Sequence, residues 1–86
     1  MDFTEMSETP LQRAILVDLL ISSDDKAENI GRRTGYHRNT VSGEMKQLVS
    51  GGLIEAKGGG VYRLTDSGRS RAQNIVRSGL ELYERD

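Results

Sequence analysis

The chain has 86 residues, of which 35% are hydrophobic and 5% aromatic, enough for one small domain with a modest, mostly aliphatic core. It contains no cysteine, which excludes disulfide bonds, thiolate metal sites and cysteine nucleophiles. The net charge of −1 hides an asymmetry, because residues 1–30 carry −5 (seven acids, two bases) and residues 31–63 carry +4 (six bases, two acids).

The N-terminal stretch has no recognisable targeting signal. Residues 1–8 are acidic, lack periodicity and do not show the basic-then-apolar order of a signal peptide. We therefore expect a flexible N-terminus ahead of a single domain over residues 9–86. No apolar run approaches the roughly 18 residues that a membrane span needs. A cytoplasmic protein without a membrane partner is the default expectation.

A strong helix start follows this stretch. Thr9 can cap the helix, Pro10 suits its first position, and Gln12 completes a Thr-x-x-Gln capping box. Residues 11–21 are apolar nearly all round, which predicts a central core helix that can also touch a second subunit. Residues 22–25 break the pattern, and the last of them are expected to cap the next helix.

Residues 25–51 contain two amphipathic helices separated by a glycine turn. The apolar faces consist of Ala27, Ile30 and Gly31 in the first helix and of Val41, Met45 and Leu48 in the second. Gly35 lies where the chain must turn sharply, and glycine accepts positive φ there. Gly51 and Gly52 are expected to end the second helix as left-handed caps. Two such helices joined by a short turn form a helix-turn-helix unit.

Residues 53–64 predict a β-hairpin, or wing. The strands are residues 53–57 and 61–64, and three glycines at 58–60 form the tip. A phosphate-binding loop is improbable because the strand–GxxxxGK–helix context is missing. Alternation places Tyr62 on the same face as Leu64, so both are expected to face the core.

A final helix is predicted over residues 65–84, with Thr65 as its cap. One broad apolar face extends through residue 83, more than a monomer of this size is expected to cover. Simple packing on the first helix is one interpretation, and a dimer seam is the favoured one. The predicted seam consists of Ile75, Val76, Leu80 and Tyr83.

Residues 34–69 resemble the winged helix-turn-helix regulators, in particular small archaeal ones similar to haloarchaeal virus repressors, and MarR/ArsR-type domains. The resemblance lies in residues 40–42, 52–54 and 64–68, read TVS, GLI and LTDSG. It implies an α+β, mainly α fold with a three-helix core, a two-stranded hairpin wing and a C-terminal helix. It also implies a homodimeric repressor that binds specific double-stranded DNA with helix 38–50 in the major groove.

The polar face of helix 38–50 supplies the candidate DNA contacts. With Val41 at the centre of the core face, 100° per residue turns a polar stripe outward. Base contacts are expected from Arg38, Asn39, Thr40, Ser42, Gly43 and Lys46. Contacts to the DNA phosphate backbone are expected from Arg32, Arg33, His37, Lys57 and Arg63. Nearby acids are alternative partners for Arg32 and Arg33, and helix capping is the alternative role for His37. Because phosphate contacts carry no sequence information, specificity is predicted to rest on Arg38, Asn39, Ser42 and Lys46.

Gly43 departs from the pattern, since relatives with the TVS sequence commonly place a basic residue there. Glycine within a helix costs about 0.5–1 kcal/mol relative to alanine. Either the helix backbone approaches DNA closely at Gly43, or binding is weaker than in the relatives.

Other function classes fit the sequence less well. A winged-helix adaptor that binds protein instead of DNA is the main alternative, and RNA binding is disfavoured by the few aromatic residues. One histidine, no cysteine and no convincing carboxylate pair argue against an enzyme. We therefore expect no catalytic residue, metal, cofactor or small-molecule substrate.

Overall fold

A computed structural model describes residues 8–84, with side chains described for residues 8–79. The predicted flexible segment, apart from Glu8, lies outside these residues. The elements in chain order are α1 (Pro10–Ser22), β1 (Asp25–Lys26), α2 (Ala27–Thr34), α3 (Arg38–Ser50), β2 (Ile54–Gly58), β3 (Val61–Leu64) and α4 (Asp66–Glu84). The fold is α+β and mainly α, as predicted.

Helix α1 is the central core helix, and its predicted start is confirmed. Thr9 Oγ1 accepts a hydrogen bond from Gln12 N at 3.1 Å, and Gln12 Oε1 accepts one from Thr9 N at 3.1 Å. The buried apolar face consists of Leu11, Ile15, Leu16 and Leu19. In the last turn of the helix Leu19 is buried, whereas Ile21 is 75% exposed and is not covered by the described residues.

Helices α2 and α3 pack on α1 through the predicted apolar faces. Ile30, Val41, Met45 and Leu48 are all buried. Gln12 Nε2 also donates to Glu44 Oε1 at 2.8 Å and to Gln47 Oε1 at 3.1 Å, which joins α1 to one side of α3. These contacts fix the rotation of α3 about its own axis.

The glycines that end α2 and α3 have different conformations. Gly35 caps α2 with φ of 85°, as predicted. Gly51 has an ordinary right-handed conformation with φ of −81°, so the expectation of a left-handed cap there was wrong. Gly52, with φ of 78°, turns the chain instead. One left-handed residue is enough to reverse direction into the hairpin.

The sheet has three antiparallel strands in the order β1-β3-β2, so the prediction of a two-stranded wing was incomplete. Strand β1 pairs with β3 through Asp25–Tyr62 and Lys26–Val61. The expected carboxylate cap of α2 was wrong, because Lys26 is the N-cap and makes no side-chain cap bond. The Asp25 carboxylate instead accepts from Lys26 N at 2.7 Å and from Asn29 Nδ2 at 2.8 Å.

The hairpin between β2 and β3 is tighter than predicted. Gly58 belongs to β2 and pairs with Val61 across a register shift. The connection is Gly59-Gly60, whose φ values of 64° and 81° have the sign that a type I′ turn requires at both positions. Tyr62 packs against the core, as predicted.

Helix α4 begins in close contact with the start of the wing. Thr65 Oγ1 accepts from Gly68 N at 3.0 Å, which confirms the predicted cap. Thr65 N donates to Leu53 O at 3.1 Å, and a Cβ on the buried Gly68 would overlap that same carbonyl. Glycine at position 68 therefore allows α4 to pack directly against Leu53, the residue that precedes strand β2.

Candidate nucleic-acid interface

Helix α3 has one face inside the protein and the other in solvent. Opposite its buried residues, a polar stripe of Asn39, Gly43, Lys46 and Ser50 is exposed. Arg38 and Thr40 are exposed near the helix start, and Ser42 is half-buried. The structure thus places the base-contact candidates on one side of a single helix whose axial rotation is fixed by the core.

The turn before α3 is held rigidly by backbone contacts. Tyr36 N donates to Gly31 O at 3.1 Å, and a Cβ on Gly31 would lie 2.5 Å from Tyr36 O. His37 is the N-cap, and its Nδ1 accepts from Asn39 N at 3.0 Å. The structure thus shows the capping contact of His37, and its contact with phosphate stays a prediction.

Tyr36 is a candidate contact that the sequence reasoning missed. Tyr36 is 46% exposed and lies two residues before the start of α3, while its backbone N–H is bonded to Gly31 O. A tyrosine hydroxyl is a common donor to DNA phosphate oxygens. The available signal was its position in the turn of the helix-turn-helix unit.

All four arginines and lysines that are predicted to contact the DNA backbone are paired with carboxylates of the same chain. Three of these cations form exposed pairs, which are Arg32–Glu28 at 3.2 Å, Lys57–Asp24 at 2.7 Å and Arg63–Glu55 at 2.6 Å. All six side chains are substantially exposed, so each pair stabilises the fold little and can open at low cost. By contrast, Arg38 and Lys46 make no ion pair with any described residue.

Arg33 is held by acids. Its Nε and Nη2 donate to Asp18 at 3.0 and 2.7 Å, and Nη2 also donates to Asp25 Oδ2 at 2.7 Å. Hydrogen bonds from Asn29 and then Arg33 lower the pKa of Asp25 to about 2, and the bond to Asp18 is the largest cause that raises the pKa of Arg33. Arg33 therefore joins α1, β1 and α2.

Replacing Arg33 by methionine should lower the free energy of unfolding at neutral pH by about 1–2 kcal/mol, because two carboxylates that are 11% and 19% exposed lose their partner. Urea unfolding measures this. The lowered pKa means that the Asp25 contribution is present above pH 3.8 and is lost as the pH falls toward about 2. The difference between wild type and Arg33→Met should shrink over that range.

Arg32→Met is the matched control, one position earlier in the same helix. Its pair with Glu28 is exposed, so the change should stay within about 0.5 kcal/mol. Equal destabilisation by the two substitutions would contradict the assignment of Arg33 to a structural cluster.

Two classes of site are not found in the described part of the chain. Among residues 8–79, no three histidine, cysteine, aspartate or glutamate side chains are grouped so that they could hold a metal ion. Over the same residues, no helix combines the length and hydropathy needed to cross a membrane.

The predicted dimer seam is only partly described: Ile75 packs against the core, Val76 is half-buried, and the side chains of Leu80 and Tyr83 lie outside the described residues.

Solved structures show what this architecture is similar to, although no protein-family model and no curated protein sequence match the chain. A MarR family regulator from Neisseria meningitidis superposes with a TM-score of 0.79 at 25% identity, over 95% of this chain and 62% of that one. A possible transcriptional regulator for arsenical resistance gives 0.62 at 27%, over 92% of this chain and 84% of that one. The M. tuberculosis regulator MosR gives 0.71 at 20%, over 98% and 69% respectively.

The chain has a winged helix-turn-helix fold. The predicted resemblance to MarR/ArsR-type domains is confirmed at the level of the fold, whereas the predicted resemblance to small haloarchaeal virus repressors stays a prediction. These neighbours are transcriptional regulators and not enzymes, which agrees with the prediction that this winged helix is not an enzyme. The winged helix spans 62% of the length of the Neisseria meningitidis regulator.

Proposed function

We propose that this winged helix is a sequence-specific regulator of transcription that binds double-stranded DNA through α3. The observation that carries the proposal is the division of α3 into a fully buried apolar face and an exposed polar stripe with two cations, Arg38 and Lys46, that no described acid neutralises. The major groove is wide enough to admit such a helix. The +4 charge of residues 31–63 favours the same partner.

The exposed side chains suggest a division between base and backbone contacts. Arg38 can donate two hydrogen bonds to guanine, and Asn39 can pair with the donor and acceptor of adenine. Thr40, Ser42, Gly43 and Lys46 complete the set of candidates for base contacts. Candidates for phosphate contacts are Arg32, Tyr36, His37, Lys57 and Arg63.

We further propose a homodimer that represses transcription by occluding DNA, in the cytoplasm. Helix α4 is 19 residues long, and among its described residues Ala72 and Ile75 pack in the core. Since Ile75 is engaged within the chain, we propose that the seam with a second copy is formed by Val76, Leu80 and Tyr83. Two α3 helices related by a twofold axis would then read an inverted repeat.

Selection from a pool of randomised duplex DNA tests this function, with sequencing of the bound fraction at two salt concentrations. We expect enrichment of an inverted repeat with half-sites about one helical turn apart. Binding should weaken steeply as salt increases, because phosphate contacts release condensed counterions. Sedimentation of the complex should give two chains per site.

The alternative is a winged-helix adaptor that binds another protein. It is favoured by the carboxylates that already pair with Arg32, Lys57 and Arg63, which reduce the positive field of the surface. Absence of binding to any duplex at either salt concentration would contradict DNA recognition and favour the adaptor. Binding without an enriched motif would contradict sequence specificity.

A further inference from the structure

Four glycines lie inside helices, and the described contacts account for only two of them. Gly31 and Gly68 are buried, and a Cβ at either position would clash with a backbone carbonyl. Gly43 and Gly79 are exposed, with no described atom within 4 Å of the place where a Cβ would be. Gly43 is the one that lies in the recognition helix.

Backbone conformation does not require glycine at position 43 either. Gly43 has no positive φ and continues the regular helix from Arg38 to Ser50. Alanine is more favourable than glycine at such a position because glycine loses more backbone freedom when the helix forms. Nothing within the described chain makes use of the missing side chain at position 43, which leaves contact with another molecule as a use for glycine there.

The place of Gly43 on α3 indicates which contact this is. Asn39 precedes it by four residues and Lys46 follows it by three, so Gly43 lies at the middle of the exposed stripe. In the proposed complex with DNA, this stripe faces the base edges. Because Gly43 has no Cβ, the helix backbone can come closer to a base pair there than at positions that carry a side chain.

We propose, on the basis of that function, that Gly43 is the point of closest approach between α3 and the DNA and a determinant of its specificity. The Cα of glycine offers an apolar surface, and the thymine 5-methyl is the apolar group on the major-groove edge. A thymine methyl fills the space that a side chain at position 43 would take. The close contact in turn lets Arg38 and Asn39 reach the neighbouring base pairs.

The experiment compares Gly43→Ala and Gly43→Leu with wild type on the selected duplex. Both residues are good helix formers, so we expect each variant to raise Tm by several degrees. Affinity for the selected duplex should fall about 10-fold for alanine and further for leucine, whereas affinity for random duplex should change less. Replacing each thymine of the site in turn by deoxyuridine should restore most of the loss in Gly43→Ala at one position.

Gly79→Ala is the matched control, because Gly79 is an exposed glycine of α4 whose Cβ would likewise meet no described atom within 4 Å. It should raise Tm similarly and leave DNA affinity within about twofold. Unchanged or tighter binding by Gly43→Ala, an equal loss in Gly79→Ala, or no deoxyuridine rescue would each overturn the inference while leaving DNA recognition intact. A wild-type protein that binds no duplex would instead overturn the proposed function.

Discussion

Gly68→Ala should lower the free energy of unfolding by about 3 kcal/mol or more, a large fraction of the stability of so small a domain. The added methyl group would overlap the carbonyl oxygen of Leu53 and press on the side chain of Leu64. Neither can move freely, because Leu53 O accepts the Thr65 N–H and Leu64 belongs to the core. Relief requires α4 to shift away from the wing. Urea unfolding followed by far-ultraviolet circular dichroism measures the change.

Gly79→Ala controls for the effect of alanine on helix propensity in the same element. Its Cβ would meet no described atom, so we expect a gain in stability of about 0.5–1 kcal/mol. The two substitutions should therefore have opposite signs. If Gly68→Ala were neutral or stabilising, the close packing of α4 against Leu53 would not exist in solution.

Arg38→Ala should reduce affinity for the selected duplex by about 1–3 kcal/mol and relax base preference at one position of each half-site. Arg38 is exposed at the start of α3 and makes no ion pair with the described residues, so its charge and its guanidinium N–H donors are available. A competition assay between the selected duplex and single-base variants measures both effects.

Lys57→Ala is the matched substitution of a cation on the wing. Lys57 is paired with Asp24, so a phosphate must compete with that carboxylate, and the loss should be smaller and equal for all sequences. Asp24→Asn should strengthen binding for the same reason. Equal and sequence-independent losses in Arg38→Ala and Lys57→Ala would contradict the division between base and backbone contacts.

The parts of the fold that the sequence predicts are those encoded by neighbouring residues. The capping box joins Thr9 to Gln12, and the core face of α3 repeats at helical spacing, so both were correctly predicted. Strand β1 was missed because two residues are too few to show alternation, and its existence depends on β3, more than 30 residues later. The conformation of Gly51 was also mispredicted, because its neighbour Gly52 is the left-handed residue that turns the chain.

The candidate site divides in the same way. The outward stripe of α3 follows from periodicity alone and is confirmed as an exposed surface. The acids that pair with Lys57 and Arg33 lie 33 and 15 residues away in sequence, so only the tertiary structure reveals these pairs. The net charge of +4 for residues 31–63 therefore overstated how many cations are available to contact DNA. The exposure of Tyr36 likewise depends on Gly31 and the turn.

Strand β1 has a consequence for the entropy of DNA association. It lies immediately before α2, so its pairing with the part of β3 nearest the wing tip, Val61 and Tyr62, connects the wing to the helix-turn-helix unit through backbone hydrogen bonds. Wing and recognition helix are thus held at a set separation before any duplex arrives. Little translational and rotational freedom of one relative to the other remains to be lost on docking, so more of the contact energy appears as affinity.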